Sequence, residues 1–174
     1  RTKMQRFNIA LLPADETLQA LFARLAKACF GARQNGYILG NGALAHVTLC
    51  QFYAESEKAA REAFQTFGGK KNEDLCLKGF EIRAGEAAHA GFFWAAFLVE
   101  KKQALLEMQK KCFSHLGARG HQVLTPPEGY APHITLARID REMKDVCFNE
   151  AVPYGKALAF KPAVGPSTEN GVLL

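Results

Sequence analysis

His46-Val47-Thr48-Leu49 and His133-Ile134-Thr135-Leu136 are one four-residue pattern written twice: histidine, a β-branched apolar residue, threonine, leucine. The copies stand 133 − 46 = 87 positions apart, half of the 174-residue chain. A pattern recurring at equal depth in each half points to a duplicated layout in which each half supplies one copy. Both copies fall in runs that read as strands, Ala43 to Phe52 and Pro132 to Ile139. Side chains of a strand alternate between its faces. His46 and Thr48 therefore share a face, with Val47 and Leu49 on the other. The same holds for His133 and Thr135 against Ile134 and Leu136. If the halves face each other, two imidazoles and two hydroxyls line one cleft.

That set suits phosphodiester cleavage without a metal. Histidine's ordinary pKa of about 6.5 lets one ring be neutral and another protonated near neutral pH. The neutral ring takes a proton from an attacking water and the protonated ring gives one to the leaving alkoxide, each transfer worth roughly 10²–10⁴ in rate. Hydroxyls donate to the non-bridging oxygens, where the transition state holds charge.

Outward from the motifs, Phe7, Ile9 and Leu11 alternate as a strand ending at Pro13. Leu18, Leu21, Phe22, Leu25 and Cys29 recur at helical spacing between Asp15 as N-cap and Gly31 as stop. Asn35-Gly36 and Asn41-Gly42 break a turn-rich stretch. Ser56 caps a helix with the stripe Ala60, Ala63, Phe64 and Phe67, closed by Gly68-Gly69. Leu75 to Ala84 and Gly91 to Glu100 read as strands joined by a hairpin connection. Leu105, Met108, Cys112 and Leu116 mark a third helix ended by Gly117. Thr125 to Gly129 is a loop, Lys156 to Lys161 a strand, and the apolar tail Gly171 to Leu174 an edge strand. Interspersed helices and hairpin-like strands favour α+β over a doubly wound parallel sheet.

Hydrophobic residues at 48% and charged residues at 22% exclude a disordered tail or a coiled coil. The longest apolar run, Gly91 to Val99, is strand-sized, well short of the ~20 residues that span a bilayer. The opening Arg1-Thr2-Lys3-Met4 has no signal core, so a cytoplasmic location is expected. A net charge of 22 − 17 = +5 suits an anionic ligand such as a nucleotide or an RNA end, and is too small for wrapping long duplexes. The five cysteines are odd in number and widely spaced, which fits a reducing compartment. His46 and His133 lack a third metal ligand, HExxH is absent, and His89, His115 and His121 read as solvent-facing. The glycine-rich fingerprints GxxxxGK[ST] and GxGxxG do not occur, so neither metal nor cofactor is expected.

Further candidates surround the motifs. Tyr130, in the Gly129-Tyr130-Ala131-Pro132 turn, suits either base stacking at a cleft mouth or a packed loop position. Trp94, Phe7 and Phe52 read as core, with a platform for a base as the other reading. Cys50 has the face parity of His46 and Thr48, so it borders the same cleft.

The two motifs, the longer run Ala131-Pro132-His133-Ile134-Thr135-Leu136-Ala137-Arg138, and the opening Phe7-Asn8-Ile9-Ala10-Leu11-Leu12-Pro13 followed by a helix resemble the two-histidine (2H) phosphoesterases. The nearest branch is that of bacterial and archaeal RNA 2′,3′-cyclic phosphodiesterases, also called 2′-5′ RNA ligases. The resemblance covers most of the chain in element order, and its specific part is the two motifs. It implies an α+β, two-lobed, pseudo-symmetric fold, with antiparallel sheets around a central cleft and helices on the outer faces. Residues 1–174 would form one domain of two lobes. It implies hydrolysis of 2′,3′-cyclic or 2′,5′-linked phosphodiesters without a metal, His46 and His133 being the acid–base pair and Thr48 and Thr135 the phosphate holders. The substrate would be an RNA end or small nucleotide with a cyclic phosphate, bound by a monomer away from membranes. A reading from another class is an RNA- or nucleotide-binding module with little turnover. Relatives end the second motif in an arginine that approaches the phosphate, and Arg138 holds that place. Residues 133 and 138 differ by an odd number, so only a bulge or an end-of-strand twist brings Arg138 to the histidine face.

Overall fold

A computed structural model describes residues 3–40, 42–169 and 171–173. Strand β1 (Gln5–Pro13) leads to helix α1 (Glu16–Phe30), β2 (Gln34–Ile38), β3 (Val47–Ala54) and α2 (Glu57–Thr66). Then come β4 (Glu73–Leu75), β5 (Leu77–Ala84), a 3₁₀ turn at Ala87–His89, β6 (Phe93–Val99), α3 (Gln103–Ala118), β7 (His133–Ile139) and β8 (Leu158–Pro166). The helix starts follow the expected caps. The Asp15 carboxylate accepts from Thr17 N and the Ser56 hydroxyl from Ala59 N, satisfying amides that have no partner within the helix.

All strand pairs are antiparallel, in two four-stranded sheets of order β3-β1-β8-β4 and β2-β7-β6-β5. Helix α1 packs on β7 and β1, α3 on β3 and α2 on β8. The fold is therefore α+β with the helices outside. Helix α3 starts 103 − 16 = 87 positions after α1, the same offset that separates the motifs. The strands, however, are exchanged. β8, from the second half of the chain, lies beside β1, while β2 and β5 from the first half flank the pair β7-β6. Each sheet carries one motif and takes strands from both halves.

Several elements depart from the sequence reading. Leu75 to Ala84 is two strands divided at Cys76, since β4 pairs with β8 in one sheet and β5 with β6 in the other. The residues on both sides of Cys76 have similar strand character, so nothing local marks the crossing. β2 forms inside the turn-rich stretch, irregularly, with only Gln34 and Ile38 in register against Ile139 and Ala137. β3 begins at Val47, not Ala43, and β8 runs to Pro166, past Lys161. α3 continues one residue beyond Gly117. In the tail, Leu173 makes one isolated bridge to Ser167, short of a strand. Asn41 of the Asn41-Gly42 breaker and Leu174 of the tail lie outside the described residues.

The core lies between the helices and the inner faces of the sheets. Phe97 of β6 is fully buried, with ring centroids 5.9 Å from Phe22, 6.0 Å from Phe80 and 5.2 Å from Phe148. Phe7 and Phe52 are buried with centroids 6.1 Å apart, as read. Among the described residues no helix is long and apolar enough to cross a membrane.

Candidate active site

Both motif strands carry a β-bulge at the same place. On β3, Thr48 faces Ala10 and Cys50 faces Ile9, leaving Leu49 unmatched. On β7, Thr135 faces Ala96 and Ala137 faces Ala95, leaving Leu136 unmatched. The separation is again 136 − 49 = 87. An extra residue resets the alternation of faces. Beyond each bulge, Gln51 and Arg138 thus return to the face of the histidines, and Cys50 and Ala137 turn inward. The parity reading of Cys50 is corrected on this ground: it is fully buried, its Sγ 4.0 Å from the Gln109 carbonyl of α3. A bulge leaves backbone groups unpaired, and both carbonyls find partners. Leu49 O accepts from Gln109 Nε2 at 3.3 Å, and Leu136 O from Leu39 N at 3.0 Å.

His46 stands just before β3. Gln19 of α1 clamps the preceding residue, its Oε1 accepting from Ala45 N at 2.6 Å and its Nε2 donating to Ala45 O at 3.2 Å. His46 Nδ1 donates to Leu44 O at 2.8 Å, and His133 Nδ1 to Ala131 O at 2.8 Å. A carbonyl can only accept, so Nδ1 carries a hydrogen in both rings, and a neutral ring keeps its lone pair on Nε2. The surroundings differ: His46 is 7% exposed, whereas His133 lies open to solvent. Burial pushes the His46 pKa below the ordinary histidine value; the Leu44 carbonyl pulls it back up and the His133 charge lowers it further.

This depression has a sign for stability. In the window between the lowered folded value and about 6.5, the unfolded chain binds the extra proton, so stability rises with pH there and falls on acidification. Denaturant melts between about pH 5 and 8 are expected to show that rise, and His46→Gln to lose part of it.

Thr48 Oγ1 accepts from Asn8 Nδ2 at 2.8 Å, which leaves the hydroxyl hydrogen for another acceptor. Asn8 is fully buried, and its Oδ1 has no hydrogen-bond partner among the described residues. The Tyr130 hydroxyl donates to Thr48 O at 2.6 Å, and burial pushes its pKa up. Gly129, at φ +71°, supplies the left-handed turn from which Tyr130 reaches β3. Tyr130 is thus a buried tie between the loop and the first motif. Arg138 Nε donates to Asn35 O at 2.7 Å and Nη1 lies 3.0 Å from His89 Nδ1. Its guanidinium sits 4.4 Å from the Phe92 ring centroid and 5.9 Å from that of Trp94. Arg138 shares the histidine face, yet these contacts hold it at the end of the sheet, outside the cleft lining.

The two sheets enclose a cleft of about 510 Å³ in which His46, Thr48, His133, Thr135 and Tyr130 meet, with Gln51 beside Thr48. Trp94 is half-buried: it packs against the core, as read, and also lines this cleft. Its neighbours Ala95 and Phe97 are buried because they point to the opposite face. The three histidines read as solvent-facing are each engaged. His115 Nε2 donates to Ala63 O at 2.8 Å, His121 Nδ1 to Tyr53 O at 3.1 Å, and His89 meets Arg138. Among the described residues no group of three His, Cys, Asp or Glu side chains is arranged to hold a metal ion. Sequence reading missed Asn8, Gln19 and Gln109. Gln109 carried a signal, as a polar residue on the apolar stripe of α3.

No family model matches the sequence, and no curated protein matches it. Solved structures do. One described as a phosphoesterase matches with a TM-score of 0.58 and 18% identity, covering 95% of this chain and 90% of that one. Another, Escherichia coli LigT complexed with NADP⁺, matches with a TM-score of 0.55 and 17% identity, covering 95% of this chain and 89% of that one. At these identities the likeness defines the fold, a LigT-like arrangement of two antiparallel sheets.

Proposed function

We propose that the protein is a phosphodiesterase that hydrolyses 2′,3′-cyclic phosphates of RNA ends or nucleotides by acid–base catalysis from two histidines, with no metal. The observation that carries this is the matched pair of rings, each tied through Nδ1 and each two residues before a threonine, on one cleft. The fold neighbours add support, one being a phosphoesterase and one a protein crystallised with a nucleotide. Both sheets act as one unit, each giving one His–Thr couple. The five free cysteines suit a reducing compartment.

His46, kept neutral by burial, is the base. Its Nε2 takes a proton as the water oxygen bonds to phosphorus. One ribose-oxygen–phosphorus bond breaks, and His133 gives that oxygen its proton. The product is a phosphomonoester with a free hydroxyl, and solvent exchange resets both rings. Thr48 and Thr135 donate to the non-bridging oxygens as charge builds there. Asn8 keeps the Thr48 hydroxyl hydrogen turned toward that charge.

The test is turnover of adenosine 2′,3′-cyclic phosphate, an RNA oligomer ending in a cyclic phosphate, and 2′,5′-oligoadenylate, all with EDTA present. Hydrolysis of the first two, lost in His46→Ala and His133→Ala, is the expected result. Cleavage of the 2′,5′ linkage alone moves the substrate to that class. Binding without turnover makes the protein a binding module, and activity lost to EDTA makes the site metal-dependent. Thr135→Ala is expected to lower kcat by roughly 10²–10³ with an unchanged Tm. Thr48→Ala is expected to lower both, because it also strands the buried Asn8 amide, a loss of about 1–3 kcal/mol.

A further inference from the structure

The cleft continues past the two threonines along the second sheet. Strand register sets three rows across β6 and β7: Leu98 with His133, Ala96 with Thr135, and Trp94 with Arg138. β5 extends all three, placing Gly79 beside Leu98, Glu81 beside Ala96 and Arg83 beside Trp94. At about 3.3 Å per residue, the Trp94 row lies roughly 7 Å beyond the Thr135 row. Ala96, the small residue beside Thr135, lines the cleft with only a methyl group.

Trp94 and Arg83 both line the cleft at this end. Tyr37 and His89 stand near-perpendicular to the indole, at 5.8 and 5.0 Å between centroids, which fixes its orientation. The indole packs on one side against the core, through the buried Tyr37, while its row and the next also hold Arg83, Glu81, Arg138 and Thr135, so it stands between the core and a polar floor. Arg83 is 65% exposed, and among the described residues its one ion pair is with Glu81, at 2.9 Å. An exposed pair of this kind is weak, so an incoming anion competes readily for the guanidinium. On the first sheet, the position matching Trp94 is Asn8, which faces Gln51 as Trp94 faces Arg138. Asn8 is buried and small, so the aromatic platform exists on one side only.

Resting on the proposed function, we propose that this end of the cleft is a nucleoside subsite. Trp94 takes the base of the nucleotide that bears the reacting phosphate, and Arg83 takes that nucleotide's 5′-phosphate. The preferred substrate is then an RNA end rather than an isolated cyclic mononucleotide, and it lies in one direction, with its chain running out over β5.

Trp94 is the only tryptophan, so its fluorescence reports the subsite directly. The intact protein is titrated with adenosine 3′-monophosphate, adenosine 3′,5′-bisphosphate and inorganic phosphate, none of which is consumed. Both adenosine compounds are expected to quench the emission and phosphate is not. The bisphosphate is expected to bind about tenfold more tightly than the monophosphate. Arg83→Ala erases that preference while leaving the monophosphate affinity, and Trp94→Phe retains the preference when binding is followed calorimetrically. Absence of quenching by either adenosine compound overturns the subsite, and quenching without a bisphosphate preference overturns the role of Arg83. Turnover is scored separately. A chain that hydrolyses cyclic phosphates with silent fluorescence keeps its function and loses the subsite, whereas nucleotide binding with this preference but no turnover does the reverse.

Discussion

His133→Ala is expected to cut kcat for a 2′,3′-cyclic phosphate by roughly 10²–10⁴, the ordinary worth of one positioned proton transfer. Its melting temperature should stay at the wild-type value, because the ring is exposed and its hydrogen bond is to the nearby Ala131 carbonyl. His46→Ala should lose as much rate and some stability too, since it empties a buried position and frees the Leu44 carbonyl. The double variant is expected to fall little below the worse single one, as groups that act in one step are not additive. Steady-state rates beside thermal melts separate these outcomes. Retained activity in either single variant would remove that ring from the chemistry.

Phe97→Ala is the largest expected loss of stability, about 3–5 kcal/mol for a fully buried aromatic side chain. Folded proteins have only about 5–15 kcal/mol in total, so the variant should sit near its unfolding threshold at moderate temperature. The ring joins α1, β5 and the segment after β7 through Phe22, Phe80, Phe148 and Tyr154, and no one of these can relax into the void alone. Urea melts give the number directly, with an unchanged slope expected. Phe97 points away from the cleft, so turnover per folded molecule should stay near wild type at low temperature. A midpoint equal to wild type would mean that the four rings hold together without it.

Local periodicity made the helices, the caps and the motif strands legible, because each depends on residues within a turn or two of one another. The His–Thr couples were legible for the same reason. The bulges were not. Leu49 and Leu136 look like ordinary core residues, and one extra residue leaves no compositional mark. Two readings turn on that: Cys50, which lost its place at the cleft, and Arg138, which gained the histidine face. Trp94 was legible in part: it packs against the core, as read, and it also lines the cleft, which the single apolar run Phe92 to Val99 conceals because its two faces have different neighbours. The split at Cys76 was hidden because the partners of β4 and β5 lie far away along the chain. Asn8 and Gln109 serve carbonyl and hydroxyl groups on other elements, a need that only the assembled fold reveals.

The pairing of β1 with β8 matches Phe7 with Pro166, 166 − 7 = 159 positions apart. During synthesis, the N-terminal strand therefore has one edge vacant until nearly every other described residue has emerged. Long-range closure of this kind slows folding. It also leaves an unfilled edge, with the apolar residues Ile9 and Leu11, open to strands of neighbouring nascent chains. Yield from rapid expression should thus depend on temperature and chaperone supply more than the stability of the finished protein would indicate.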